Sequence, residues 1–345
     1  AGVNAAVGAL VVDGIISGVG GILTFLPNIF MLFLALAFLE DSGYMSRVAY
    51  VMDGLMGRMG LSGRAFIPML LGFGCTVPAV MSARTLEDTR DRLRTIMVVP
   101  FMSCSARLPI YVLFSKMFFG GYAMAAAFSM YVIGLVVAII VALIYSRVVC
   151  RNEEKNCLLI ELPEYKSPNA RTIMIYVWEK IKDYLTKAGT TIFVGSVLLW
   201  VVMNFGPYGM ITDVSESFAA SIGKFLVPVL APAGLGLWQI GVALISGIAA
   251  KELVVSSCSV LFSMNINSDT GIEAFHRTLN AMGFGNLNAY VLMIFCLLYI
   301  PCIATIATIH KETNSWKWTI GMIFMQLLIA WGVAVLIFQA GSCLI

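Results

Sequence analysis

Two apolar stretches of this chain are interrupted by glycine, proline and cysteine where an ordinary membrane helix would run straight through. The first reads Gly72-Phe73-Gly74-Cys75-Thr76-Val77-Pro78, the second Pro100-Phe101-Met102-Ser103-Cys104-Ser105-Ala106-Arg107-Leu108-Pro109. Unpaired backbone in lipid costs several kcal/mol per group, so such breaks persist where they line a cavity or are buried in protein. The surroundings are apolar enough for that argument to apply. The 345 residues are 60% hydrophobic and 12% charged, with a mean hydropathy of +0.91. A soluble domain lies nearer 45–50% apolar and about 25% charged. The chain reads as an all-α polytopic membrane protein.

Eight apolar segments stand out: roughly 18–39, 65–82, 95–118, 122–146, 188–205, 237–262, 288–309 and 319–340. Basic residues set their orientation. Seventeen of the 22 Lys and Arg fall after the first segment, after the second, in the 147–187 linker, or between the last two. If all eight segments crossed, the loop charges would divide 13 against 6; if 65–82 and 237–262 enter and leave on one side, they divide 17 against 2. Positive charge concentrates on the cytoplasmic side, so the second arrangement is expected: six crossings and two re-entrant or broken segments. The order of segments in 1–146 is then repeated, upside down, in 188–345, with residues 147–187 as a cytoplasmic linker. Within the linker, Ile173, Tyr176, Val177, Ile181, Tyr184 and Leu185 have helical spacing, which suits a helix along the interface or a solvated connector.

Each break presents a thiol and freed carbonyls. Cys75 follows two glycines, Cys104 lies between Pro100 and Pro109, and Cys302 follows Pro301. Thiolate suits borderline to soft metals, so the breaks suggest a path for a metal cation. An intramembrane cysteine is also an ordinary small buried hydrophobe, the reading that suits Cys258 and Cys296. Glu252 and Lys251 sit mid-segment, and Arg107 sits inside the second break. Ionisable groups at such depth usually face the interior and act there. Glu252 is a candidate ligand, whereas Lys251 and Arg107, being cations, suit gating or structural roles. Glu40 and Asp41 close the first crossing, as a cytoplasmic mouth for a divalent cation or an ordinary solvated helix end. The chain carries no G-x-x-x-x-G-K-[ST] loop, since Gly223-Lys224 is followed by Phe225, and no HExxH. Nucleotide hydrolysis is not expected of these residues, and with a net charge of only +3, nucleic acid is not an expected partner.

Longer runs carry a resemblance. LEDSGYMSR (39–47), GLSGRAFIPMLLGFGCTVPAVMSART (60–85), RLRTIMVVPFMSCSARLPIY (92–111), ELPEY (161–165), AAKELVV (249–255) and LLYIPCIA (297–304) closely resemble the membrane domain of the ferrous iron transport protein B (FeoB) family. The resemblance implies two inverted Gate-type repeats with broken or re-entrant helices, and uptake of Fe2+ across the bacterial inner membrane. It places Cys75, Cys104 and Cys302 where the family carries cysteine, and Glu252 in its Lys-Glu pair. It also implies an N-terminal GTP-binding domain, so GTP is expected only on a segment this chain lacks; the start at Ala1 fits a longer protein. Small cytoplasmic regulatory proteins of the same system are implied partners, and a homo-oligomer stays open. A Gate-fold carrier of organic solutes or nucleosides, or a non-transporting membrane scaffold, are the alternatives. A nucleoside site wants Asn, Gln and stacking aromatics, whereas these breaks offer Cys, Met and Ser.

Overall fold

Breaks, rather than long straight spans, organise the helices. The computed structural model describes residues 17–149, 165–206, 209–210, 216–262 and 269–344, and these are almost wholly helical. The first half runs α1 (Ser17–Asp41), α2 (Tyr44–Arg58), α3 (Phe66–Gly74), α4 (Thr76–Ser82), α5 (Thr89–Val98), α6 (Leu108–Phe119) and α7 (Ala123–Val149). The second runs α8 (Ala170–Tyr184), α9 (Thr190–Asn204), α10 (Phe218–Leu230), α11 (Trp238–Ala249), α12 (Leu253–Leu261), α13 (Asp269–Ala281), α14 (Asn286–Leu298), α15 (Ile303–Thr313) and α16 (Trp316–Leu344). A π-helical turn, Leu185–Gly189, joins α8 to α9.

Both halves contain the same two interruptions. Between α3 and α4 a single residue, Cys75, is extended at φ −151°, ψ 130°, and α3 and α4 pack against each other across it. Between α11 and α12, Ala250 takes φ −150°, ψ 133°. Ahead of α6, Cys104 is extended at φ −76°, ψ 158°; ahead of α15, Cys302 is extended at φ −62°, ψ 155°. Lipid supplies no hydrophobic drive between membrane helices, so contact depends on close packing at small residues. Gly72 and Gly247, each three residues before an extended residue, meet that need. A Cβ on Gly72 would lie 2.9 Å from Met102 Cβ, and one on Gly247 would lie 2.2 Å from the Tyr299 hydroxyl.

Helix α14 lies at the centre, with Val291 through Cys296 and on to Leu298 buried, and packs on α6, α7 and α16. Cys258 and Cys296 are fully buried in this main core, among Phe and Leu side chains. A second apolar cluster joins the halves: Ile29 and Phe33 of α1, Val77 and Met81 of α4, Ala304 of α15, and the stripe Ile173, Val177, Ile181 and Tyr184 of α8. The linker helix is therefore packed over α1, α4 and α15 rather than merely resting on the interface. Its outer face still presents Met174, Ile175 and Trp178. Residues 150–164, with Cys150, Cys157 and most of ELPEY, lie outside the described residues.

The apolar segments can be set against the six expected crossings, two of which, 95–118 and 122–146, fall within the single 59-residue segment Thr89–Arg147. Among the described residues three helical segments are long and apolar enough to cross a bilayer: Thr89–Arg147, Asn286–Thr313 and Trp316–Cys343. They become five if each bent pair, Ile29–Asp41 with Tyr44–Arg58 (85°) and Phe218–Ala233 with Trp238–Ala249 (103°), counts as one span. The sixth expected crossing, 188–205, has an apolar helical part, Phe193–Asn204, that is too short to qualify. Three further helices, α2, α10 and α13, occupy stretches expected to be connectors.

Candidate functional site

Four of the freed carbonyls at the breaks accept side-chain hydrogen bonds. Arg107, 1% exposed, donates through Nη1 to Met102 O (2.9 Å) and through Nη2 to Pro100 O (3.1 Å). Lys251, 3% exposed, donates to Ile300 O (2.5 Å), and its ammonium lies 3.2 Å from the centroid of the Tyr299 ring. Met102 and Ile300 each stand two residues before the cysteine of their own break. Each of these buried side chains thus acts as a peg, hydrogen-bonding the unwound backbone of one break. The Gly74 carbonyl is likewise taken, accepting from Ser105 Oγ at 2.8 Å, which ties the first break to the second.

The thiols come from different parts of the sequence into one region. Cys75 interacts electrostatically with both Cys104 and Cys302. Cys75 and Cys302 are half-buried at the edge of the second apolar cluster, while Cys104 is buried. Cys302 Sγ lies 3.1 Å from Thr305 Oγ1. Two sides can be distinguished. On one, Lys251 lies with Arg107, Cys104 and Cys302. On the other, Tyr184 interacts with Cys75, Cys302 and Glu252. Glu252 is half-buried in the gap between α11 and α12. Among the described residues no three His, Cys, Asp or Glu side chains come together as a group that could hold a metal ion.

Glu40 and Asp41 are engaged elsewhere. Asp41 Oδ2 accepts from Asn169 N at 2.7 Å, and Tyr176 donates to Glu40. The pair anchors the start of α8 to the end of α1.

Sequence reasoning missed two features. One is Tyr184, visible only as the last member of the α8 stripe. The other is a cavity of about 450 Å³ lined by Tyr184, Arg84, Thr308, His310, Glu312 and neighbouring residues. Arg84, following α4, makes a bidentate ion pair with the 7%-exposed Glu312 at the end of α15, and Arg92 Nη2 donates to Glu312 O at 3.1 Å. The hydrogen bonds to the Glu312 carboxylate raise the Arg84 guanidinium above its ordinary pKa. Arg84 and Lys311 both line the cavity.

Comparison with known proteins defines the family. The model described as "Nucleoside recognition" (Gate) matches residues 22–118 and 185–316, and the model described as "Ferrous iron transport protein B C terminus" matches 127–180. The chain belongs to the FeoB family. A Staphylococcus aureus relative named "Fe(2+) transporter FeoB" is 43% identical over 96% of this chain and 49% of its own length. A relative of the same name from Methanocaldococcus jannaschii is 41% identical over 99% of this chain and 51% of its own. A Porphyromonas gingivalis protein named "Fe(2+) transport protein A/Fe(2+) transporter FeoB fusion protein" is 36% identical over 96% of this chain and 44% of its own. The chain thus spans about half the length of these FeoB relatives. No solved structure matches it.

Proposed function

We propose that this chain is the permease portion of a ferrous-iron uptake protein of the bacterial inner membrane, with Fe2+ as its transported ion. The observation that carries the reading is that Cys75 and Cys302, at helix breaks in different halves, pack against one apolar cluster, with Cys104 at the neighbouring break. Cys75, Cys104, Cys302 and Glu252 are ligands met one or two at a time along the path, since no three of them form one metal-holding group. A conducting site must bind weakly enough to release its ion, which suits one or two sulfurs with oxygens rather than four thiolates. Arg107 and Lys251 hold the unwound backbone in place without touching the ion.

The repeats are 1–146 and 188–345, inverted about the bilayer, with 147–187 as the linker; the two separate Gate matches support this division. GTP belongs to a part of the longer relatives that this chain does not span, which fits its covering about half their length. The fused relative supports a small cytoplasmic partner of the transport-protein-A type. The Gate description favours a second reading, a nucleoside carrier, which the sulfur-bearing breaks do not suit.

The test is uptake of labelled Fe2+ by cells carrying the full-length protein. Cys75→Ser combined with Cys104→Ser should abolish uptake at unchanged membrane abundance, and normal uptake would end the thiol-path reading. In liposomes, Zn2+ and Mn2+ should compete and a nucleoside should not.

A further inference from the structure

We propose that Tyr184 is the inner plug of the pathway, closing the thiol cluster off from the 450 Å³ cavity on the Arg84 side. The proposal rests on the thiol-path reading and adds to it the element that separates ion from exit. Three observations place Tyr184 there. The ring is 4% exposed in the cluster that Cys75 and Cys302 edge. It interacts with Cys75, Cys302 and Glu252, groups from both halves. It also lines the cavity, together with Val77, Met81 and Thr308. One side chain therefore touches both compartments.

Its backbone setting suits a moving part. Tyr184 is the last residue of α8, and the π-helical turn Leu185–Gly189 follows directly. Such turns are rare and recur at functional sites, because the extra residue per turn loosens the helical ladder. The start of α8, opposite Tyr184, is tied to α1 through Asp41 and Asn169, so the linker can transmit a displacement along the helix to the ring. The cavity beyond is polar enough for water: Thr186, Thr190, Asn314 and the Arg84–Glu312 pair line it, and the buried His310 Nδ1 has no hydrogen-bond partner. A cation leaving the sulfurs would be rehydrated there once the ring swings aside.

Thiol accessibility tests this without iron. The full-length protein, in vesicles exposing the Arg84 and Lys311 side, is treated with a membrane-impermeant thiol reagent. Labelling of each cysteine is then read by peptide mass spectrometry. Wild type and Tyr184→Phe should protect Cys75 and Cys302, because the ring and not the hydroxyl is the plug. Tyr184→Ala should raise their labelling at least tenfold, and Tyr184→Leu by a smaller factor. Cys258 and Cys296, sealed in the main core, report on folding in the same molecule. Continued protection of Cys75 and Cys302 in both variants overturns the proposal. Labelling of Cys258 and Cys296 in step with them overturns it equally, since Tyr184 would then be a packing residue. This result is independent of the uptake test: a plug can be found around sulfurs that carry no iron, and an iron path can exist without this plug.

Discussion

At Cys75 the chain turns extended at φ −151°, ψ 130°, and at Ala250 at φ −150°, ψ 133°. The second interruptions, at Cys104 and Cys302, agree as well, differing by 14° in φ and 3° in ψ (−76°, 158° against −62°, 155°). The side chains do not follow. Three of the four junctions carry sulfur and the fourth carries a methyl group. In the first half the peg is Arg107, three residues after its cysteine and bound to its own break. In the second half the peg is Lys251, beside the extended Ala250, reaching across to the other break. The backbone plan is what both halves need to fold; the chemistry is distributed unequally, and function belongs to the unequal part.

The pegs are the place where that comparison breaks hardest. Arg107→Ala would strand two carbonyls in a dry core, at about 1–3 kcal/mol each, or roughly 2–6 kcal/mol together. Lys251→Ala would strand one, for roughly half that cost, since its ring contact with Tyr299 is a smaller term. The fraction of protein surviving heating in detergent, measured by size-exclusion chromatography, should fall further for Arg107→Ala. Arg107→Lys should recover part of the loss, because one donor group cannot reach both carbonyls as the guanidinium fork does. Equal stability of the two alanine variants would remove the peg role.

The paired glycines give the next effect. Alanine at Gly247 would push against the Tyr299 hydroxyl at 2.2 Å and Val254 Cγ2 at 2.4 Å, whereas alanine at Gly72 meets Met102 Cβ at 2.9 Å. Overpacking of this kind costs about 1–3 kcal/mol, and Gly247→Ala should be the worse of the two. Tyr299→Phe should partly rescue Gly247→Ala, although it gives up the weak bond to Leu244 O at 3.3 Å. The same change should leave Gly72→Ala unaided, as the melting midpoints of the single and double variants would reveal.

The breaks were legible where the residues themselves force them. Gly72, Gly74 and Pro78 around Cys75, and Pro100 and Pro109 around Cys104, have backbone reasons to interrupt a helix. Ala250 has none: Ala249 and Ala250 are good helix formers, and the interruption there is imposed by tertiary contacts such as that of Lys251 with Ile300 O. Charge counting marked 237–262 as broken without locating the residue. Helices α2, α10 and α13 escaped because a search for runs of about 20 apolar residues passes over 13–15-residue amphipathic or short apolar helices. In α13, Ile272, Phe275 and Leu279 carried the periodic signal. Tyr184 belonged to a recognised stripe, but its importance depends on Cys75, Glu252 and Cys302, which only the fold brings to it.

Ala250→Cys asks whether the unequal junctions matter, and its effect should be the smallest on the fold. An extended residue at these angles accepts any side chain, and Ala250 is not fully buried, so stability should stay within about 0.5 kcal/mol of wild type. Transport is a different matter. A fourth sulfur two residues from Glu252 would deepen the well in which a soft-leaning dication rests, and a deeper well slows its departure. Uptake of labelled Fe2+ should therefore drop severalfold while metal retained by the purified protein rises, and Ala250→Ser, with oxygen in place of sulfur, should show less of both. If Ala250→Cys transports as wild type does and retains no extra metal, the break at Ala250 lies off the route, and the three native thiols would have to work without the carboxylate beside it.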